Sequence, residues 1–321
     1  MAALRVIFMG TADLSCVCLQ TLLNSTALEV ISVVTQPDRP KGRDLKLQAS
    51  PVKRLASEAN LPILQPLRAR DEQFIQQMRA LEPDLIAVAA FGQILPQNLL
   101  DLPRFGCLNV HTSLLPKYRG AAPIQWAILN DESETGVTIM KMDAGLDTGD
   151  ILAQQETPIP TDDTSETLHE RLAHLGADLL VSTIPKYVGG ELKARPQPLQ
   201  GVSYARKIKK DDGQINWAAP ARTNWNKVRG LIPWPGAFTF LADGPRQRLL
   251  KIWQADVVDI AGEPGEVLQA GKGGIVIACC DQALRIFALQ REGSRRVNAQ
   301  EFLAGHPLPV GTRLSGLESR F

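Results

Sequence analysis

The stretch that decides the fold runs from residue 107 to residue 150 and reads CLNVHTSLLPKYRGAAPIQWAILNDESETGVTIMKMDAGLDTGD. It opens with a short apolar run that leads into Asn109 and His111 and stops at a Ser-Leu-Leu-Pro turn. Residues two apart on an extended strand point to the same side. We therefore expect the side chains of Asn109 and His111 to project together at the end of a strand.

The same stretch contains a second predicted strand, at 136–142, which leads into a tight loop rich in Asp and Gly at 143–150. In an open α/β sheet, the loops beyond the carboxyl ends of the strands form the ligand crevice. Two such loops lying side by side would bring Asp147 to the pair formed by Asn109 and His111.

These three residue types suit group transfer through a tetrahedral intermediate. An amide N–H and a protonated imidazole can both donate to an oxygen that gains negative charge, and losing one such donor costs roughly 3–4 kcal/mol. A carboxylate beside the imidazole favours its charged form, so we expect Asp147 to keep His111 charged and oriented. An Asn-x-His at a strand end, or an Asp/Gly-rich loop alone, is more often a simple turn. The order and spacing of the whole string favour the catalytic interpretation.

The string at 109–128, followed by GVTIMKMDAGLDTGD at 136–150, closely resembles the signature of the folate-dependent formyltransferases. The resemblance extends from residue 6 to about residue 302. It implies that Asn109, His111 and Asp147 are the catalytic residues, that 10-formyltetrahydrofolate is the formyl donor, and that no metal takes part.

The resemblance also implies two segments that contact the formyl-folate. One comprises Ser113, Leu114, Leu115 and Pro116, and the other holds the pterin ring with backbone around Ala89, Phe91, Gly92 and Ile94. Two departures from the family pattern matter. Thr112 stands where the family usually has Gly, and the first loop, usually Gly-Thr-Pro-x-Phe, here reads Gly10-Thr11-Ala12-Asp13-Leu14. That loop resembles the lining of the methionine pocket.

A polar, proline-stiffened insert at 36–46 reads QPDRPKGRDLK and contains Arg39, Lys41 and Arg43. Composition alone supports a solvated exposed loop equally well. In the tRNA-formylating members that the chain resembles, this insert reaches the acceptor arm, with Arg43 as its most important base. A second basic cluster, at Lys207, Lys209 and Lys210, is interpreted as a phosphate contact, although a solvated face fits it nearly as well.

The pattern of predicted strands and helices along the chain indicates two domains. Up to residue 190, apolar runs alternate with helical patterns, which favours a Rossmann-like, doubly wound and mainly parallel α/β sheet. Beyond a linker at 191–206, short strands separated by Gly and Pro turns predict an OB-like β-barrel at 207–321. The predicted strands lie at 4–9, 30–34, 84–90, 249–253, 265–269, 274–280 and 283–289, and the helices at 13–23, 51–59, 71–81, 121–129, 165–187 and 223–229.

Composition is ordinary for a globular protein, with 44% hydrophobic residues and a formal charge of +1. The charge is uneven, because residues 1–200 contain 18 Lys and Arg against 23 Asp and Glu, whereas residues 201–321 contain 17 against 11. This charge asymmetry is consistent with a C-terminal part that binds a polyanion. An ordinary solvated surface explains it equally well. The odd number of cysteines, the absence of zinc-ligand spacing and the lack of a signal or membrane segment favour a reduced, cytoplasmic protein, and we expect a monomer.

The resemblance to the tRNA-formylating members implies a reaction that moves the formyl group of 10-formyltetrahydrofolate to the α-amine of methionyl initiator tRNA. The nearest alternative is a formyltransferase for an amino sugar nucleotide, which shares the chemistry and can also carry a C-terminal barrel. A glycinamide ribonucleotide formyltransferase would lack the last hundred residues. A non-catalytic RNA-binding protein is disfavoured because Asn109, His111 and Asp147 are all present.

Overall fold

The computed structural model describes residues 3–41, 46–243 and 246–314. These residues form two compact units. The first comprises the described residues up to Pro123 together with Glu134–Pro158 and His169–Ala205, and the second comprises Ile124–Ser133, Ile159–Leu168 and the described residues from Arg206 onward. No helix of this described part of the chain is both long enough and apolar enough to cross a membrane.

The chain up to Ala205 alternates strands and helices as expected for an α/β domain. Its strands are β1 (Leu4–Gly10), β2 (Leu28–Val34), β3 (Arg39–Lys41), β4 (Lys46–Gln48), β5 (Ile63–Leu64), β6 (Leu85–Ala89), β7 (Cys107–His111), β8 (Arg119–Gly120), β9 (Glu134–Lys141), β10 (Asp150–Pro158) and β11 (Tyr204–Ala205). Its helices are α1 (Asp13–Leu23), α2 (Pro51–Glu58), α3 (Glu72–Ala80), α4 (Gln97–Leu100), α5 (Pro123–Leu129) and α6 (Ser165–Val188).

Local chemistry explains why these segments form where they do. The residues of β6 are all buried, and the continuous apolar run is typical of a strand that is covered on both faces. Helix α2 begins at Pro51, where a proline costs no hydrogen bond, and the Ser50 side chain accepts the Lys53 N–H at 3.0 Å. The predicted strands and helices of this half therefore appear within a few residues of their expected ends.

The main sheet has the order β10-β9-β7-β6-β1-β2-β5. The pairs among β1, β2, β5, β6 and β7 are parallel, which confirms an α/β domain built on a parallel core. The sheet is mainly parallel, as expected, but one edge is antiparallel, because β9 runs antiparallel to both β7 and β10. A parallel crossover needs a dozen or more residues, so the short loop between β9 and β10 permits only an antiparallel pairing of these two strands.

The strand register collects three loops at one end of the sheet. Gly10 of β1 lies opposite Ala89 of β6, and Ala89 lies opposite Val110 of β7. On the other side of β7, His111 lies opposite Thr138 of β9. The loops that follow β1 and β6 therefore lie beside the end of β7, as expected for the crevice of such a sheet.

The second unit is rich in β-structure. Its strands are β12 (Ala237–Asp243), β13 (Arg246–Val258), β14 (Val267–Gly271), β15 (Gly274–Ala278), β16 (Ala283–Arg291) and β17 (Val297–Asn298), with helices α7 (Ala221–Gly230) and α8 (Ala299–Gly305). The strand order is β12-β13-β16-β15-β14, with β17 beside β16, and all pairs are antiparallel. In the described residues the terminal strands β12 and β14 do not pair with each other, so the sheet is not closed there.

Two tryptophans anchor the core of the second unit. The Trp217 indole donates to Thr239 Oγ1 at 3.0 Å, and the Trp225 indole donates to the Ala255 carbonyl at 2.9 Å. A buried indole N–H without a partner would be costly, so these bonds fix how both rings pack. Strand β12 and helix α8 were not among the predicted elements.

The segment predicted as a linker is bound to the first unit. The backbone of Arg195 pairs with that of Ile151 on β10 in both directions, at 2.8 and 2.9 Å. Further along, the Ser203 carbonyl accepts the Arg119 N–H at 2.9 Å. A proline-rich run without apolar periodicity is typical of a linker, but here its backbone completes the hydrogen bonding of neighbouring strands.

Candidate active site

Asn109 and His111 both lie on β7, the strand between β6 and β9. Asn109 pairs with Val88 on one side and Met140 on the other. Its side chain is half-buried, and no hydrogen bond to the described residues occupies its amide. An amide held on a rigid strand and left without a protein partner is available to a ligand oxygen.

His111 is buried, with only 5% of its surface exposed. Its Nε2 lies 3.0 Å from the Tyr118 carbonyl oxygen, which can only accept, so Nε2 carries a proton. Its Nδ1 lies 3.7 Å from Asp147 Oδ2. This separation is too long for a direct hydrogen bond but close enough for strong electrostatic interaction.

Burial lowers the pKa of His111 below its usual value, and the opposing effects of the Asp147 carboxylate and the Tyr118 carbonyl are smaller. The ligand-free imidazole is therefore neutral near pH 7, and its Nδ1 can accept a proton. This corrects the expectation that Asp147 keeps His111 charged at rest. The sequence reveals the neighbouring carboxylate, whereas the larger cost of desolvation arises only when the fold buries the ring.

Asp147 is held by the backbone of a neighbouring loop. Its Oδ2 accepts the Gly120 N–H at 2.8 Å. The residue has a φ of +51°, in the left-handed region that Asp tolerates better than most side chains. Such a conformation costs roughly 1 kcal/mol or more and persists where surrounding contacts determine it.

Gln197 provides such contacts from the segment predicted as a linker. Its Nε2 donates to the carbonyl oxygens of Asp147 and Gly149, both at 2.8 Å. Its Oε1 accepts from Arg119 Nε at 3.1 Å and Arg119 Nη2 at 2.7 Å. Sequence reasoning missed Gln197 and Arg119 because their partners lie far along the chain, and no local pattern marks them.

The predicted folate segment at 113–116 forms a tight turn beside β7. The Ser113 hydroxyl donates to the Lys117 carbonyl at 2.6 Å, and its own carbonyl accepts from Thr138 Oγ1 at 2.7 Å. Leu115 is buried against Met140. Ser113 and Leu115 thus shape the turn from inside.

Leu114 and Pro116 occupy the alternate positions of the same turn and are only half-buried. Of the four predicted folate residues in this turn, they are the two whose side chains retain accessible surface for a ligand.

The other predicted folate segment follows β6 and combines buried anchors with exposed surface. Ala89 is buried, and the carbonyl of buried Phe91 accepts from Thr11 Oγ1 and from Gln36 Nε2, both at 3.0 Å. Gly92 has a φ of +82°, and Ile94 is 83% exposed. An exposed apolar side chain on a firmly tied loop is suited to one face of a planar ligand.

Leu14 and Thr112, which depart from the family pattern, are both buried. Leu14 is 4% exposed on α1, and Thr112 is 8% exposed directly after β7. Their side chains therefore contribute more to packing than to accessible surface.

The predicted tRNA-binding residues lie on different units. Arg39 is exposed on β3, which pairs with β4 in the insert, and Lys41 ends the same strand. Arg43 lies outside the described residues. Lys207, Lys209 and Lys210 are exposed at the start of the second unit.

The insert is tied to the body of the first unit through Asp38. Its carboxylate pairs with Lys53 at 2.7 Å and accepts from Gln65 Nε2 at 2.9 Å. The Arg39 guanidinium donates to Gln36 Oε1. These contacts fix the base of the insert, where the hairpin begins.

Gly120 is placed where no other residue fits well. Its φ is +119°, and a Cβ built there would lie 2.7 Å from the Ala205 carbonyl oxygen. We expect Gly120→Ala to lower the free energy of unfolding by about 1–3 kcal/mol, because backbone strain and overpacking act together. Urea denaturation of the purified variant measures this loss.

Gly190→Ala is the matched control for this substitution. Gly190 also has a positive φ, +80°, but no atom lies within 4 Å of the position of its Cβ. An equal loss of stability in the two variants would contradict the close approach between Gly120 and Ala205.

Comparison with known proteins identifies the relatives of this chain. Residues 4–184 match the family described as formyl transferase, and residues 207–307 match the formyl transferase C-terminal domain. Methionyl-tRNA formyltransferase from Geobacter sulfurreducens is 49% identical over 314 residues, which cover 98% of each chain. The protein of the same name from Caldanaerobacter subterraneus subsp. tengcongensis is 46% identical and covers 97% of this chain and 100% of its own.

Solved structures share the fold at lower identity. WlaRD, a sugar 3N-formyl transferase crystallised in the presence of dTDP and 5-N-formyl-THF, is 21% identical with a TM-score of 0.67, covering 92% of this chain and 100% of its own. HypX from Aquifex aeolicus, in complex with tetrahydrofolic acid, is 18% identical with a TM-score of 0.64, covering 99% and 51%. At these identities the likeness concerns the fold alone.

Proposed function

The chain belongs to the formyl transferase family, and we propose that it transfers the formyl group of 10-formyltetrahydrofolate to the α-amine of methionyl initiator tRNA. The product, N-formylmethionyl-tRNA, serves translation initiation. Relatives named for this activity align over nearly the whole length of the chain. The observation that carries the proposal is the 3.7 Å approach of the Asp147 carboxylate to His111 Nδ1, two residues along β7 from the unengaged Asn109 amide.

In the proposed reaction, the neutral amine nitrogen attacks the formyl carbon, and the formyl oxygen gains negative charge. The Asn109 amide donates to this oxygen, which is the main electrostatic requirement of the tetrahedral intermediate. Because β7 holds Asn109 rigidly, the donor needs little reorganisation when the charge develops.

The amine must lose a proton as the new C–N bond forms. Neutral His111 can accept this proton at Nδ1, directly or through a water beside Asp147. The resulting imidazolium faces the Asp147 carboxylate and adds positive charge near the oxyanion. When the bond between the formyl carbon and folate N10 breaks, N10 receives the proton, so atoms and charge balance over the reaction.

For the donor, we propose that folate contacts the loop at 89–94 and the turn at 113–116. Exposed Ile94 and half-buried Leu114 and Pro116 are accessible apolar side chains of these segments. Two of the fold neighbours were crystallised with folate compounds, which supports a folate site on this fold. No metal is required by this chemistry.

For the tRNA, we propose that the second unit is an OB-like domain that binds the backbone of the acceptor arm. Its antiparallel strand order and the excess of Lys and Arg over residues 201–321 support this role. Exposed Lys207, Lys209 and Lys210 contribute phosphate contacts, as do Arg39, Lys41 and Arg43 of the insert. We propose that the enzyme works as a cytoplasmic monomer, because one chain supplies Asn109, His111 and Asp147.

The proposed function is tested by a turnover assay with three acceptors: methionyl initiator tRNA, free methionine and an amino sugar nucleotide. We expect formylation of the charged tRNA alone, with 10-formyltetrahydrofolate as donor. Preferential formylation of the sugar nucleotide would favour the alternative activity. Binding of tRNA without turnover would favour a non-catalytic RNA-binding protein.

Arg43→Ala tests the role of the insert. One phosphate or base-edge contact is lost, so we expect about a tenfold weaker productive binding of tRNA and a smaller salt dependence of the formylation rate. Formylation across a salt series measures this, and folate affinity, followed in parallel, should not change.

Arg70→Ala removes an exposed arginine of the same unit outside the insert and should leave the salt series unchanged. Equal rates for Arg43→Ala and the parent at every salt concentration would remove the insert from tRNA recognition.

A further inference from the structure

We propose that Gln197 is a positioning residue for catalysis, which holds the Asp147 loop so that its carboxylate faces His111. The proposal rests on the proposed function, because it assigns Gln197 a role in that same reaction. Gln197 lies outside the signature strings at 109–128 and 136–150.

The hydrogen bonds of Gln197 are specific to an amide side chain. Its NH₂ group donates to the carbonyl oxygens of Asp147 and Gly149, and its oxygen accepts two bonds from Arg119. A carboxylate at this position could accept from Arg119 but could not donate to the two carbonyls. The orientation of the amide is therefore set from both ends.

The held loop has a backbone that requires external support. Asp147 adopts a φ of +51°, and Gln197 binds its carbonyl oxygen directly. At Gly149 the loop passes close to β9, because a Cβ there would lie 2.0 Å from the Lys141 carbonyl oxygen. Release of the two carbonyls would allow the loop to relax and would displace a carboxylate that now lies 3.7 Å from His111 Nδ1.

Gln197→Met, which keeps the length of the side chain and removes all four hydrogen bonds, is the main test. We expect kcat for charged tRNA to fall about tenfold, because a small displacement of a catalytic group slows the chemical step. KM for both substrates should stay within about twofold of the parent value. Gln197→Glu should behave similarly, because its second oxygen would repel the two carbonyls. Gln155→Met, an exposed glutamine of β10 in the same unit, is the matched control and should match the parent.

Two further measurements distinguish positioning from a general loss of structure. In the Asp147→Asn background, Gln197→Met should lower kcat less than threefold, because its effect passes through Asp147. In the free protein, the NMR titration of His111 should move to lower pH, since the displaced carboxylate raises the pKa of the imidazole less.

Full additivity of the two substitutions, or an unchanged His111 titration in a folded Gln197→Met protein, would overturn the proposal. The titration needs no substrate. A parent protein that fails to formylate charged tRNA would therefore reject the proposed function, and the titration would still decide the role of Gln197.

Discussion

Asp147→Asn should lower the formylation rate by roughly 10²–10⁴-fold, the range that general acid–base catalysis contributes. Asparagine retains an oxygen that can accept the Gly120 N–H and tolerates the left-handed backbone at this position, so the fold should survive. The substitution removes the negative charge that opposes the effect of burial on His111. Neutral His111 then becomes a weaker proton acceptor.

The sign of the pH effect follows from the same contacts. Burial lowers the pKa of His111, and Asp147 partly offsets that shift, so removing the carboxylate lowers the pKa further. Protonation of His111 should therefore begin at lower pH in the variant than in the parent. With only four histidines in the chain, the NMR titration of the His111 ring measures this directly, beside single-turnover formylation.

Asp143→Asn is the control for a charge lost from the same loop, because among the described residues that carboxylate accepts bonds from Gly145 N–H and Thr148 Oγ1, both within the loop. A fully active Asp147→Asn protein with an unaltered His111 titration would leave Asp147 as a loop-forming residue only.

Asn109→Ala should lower turnover by roughly 10²–10³-fold, which is the effect of removing one preorganised donor to an oxyanion. No hydrogen bond to the described residues depends on this amide, so the free energy of unfolding should change little. Affinity for tRNA and folate should also be nearly unchanged, because the lost interaction develops in the transition state. Single-turnover rates at saturating substrate, with denaturation curves beside them, measure both expectations.

Asn98→Ala, at an exposed position on α4, controls for the loss of an asparagine elsewhere in the same unit. Near-normal turnover in a folded Asn109→Ala protein would refute the oxyanion role and would leave His111 as the donor to be tested.

The chain by itself determined the features that are encoded within a few residues. Period-two spacing placed Asn109 and His111 on one strand, and Ser50-Pro51 marked the start of a helix. Alternation of apolar runs with helical patterns predicted the α/β unit, whose parallel core is present. Such signals survive without tertiary context because strand period, capping and turn chemistry are local.

Tertiary structure decided the antiparallel edge, the charge of His111 and the support of Asp147. Gln197 binds residues 48 and 50 positions away in sequence, and its own neighbourhood resembles a linker. The neutrality of His111 depends on how completely the folded chain excludes water from its ring, which the neighbouring residues do not reveal. Burial and long-range hydrogen bonds arise only in the folded chain, because they form between segments that are distant in sequence. No local sequence pattern reveals which distant segments will meet.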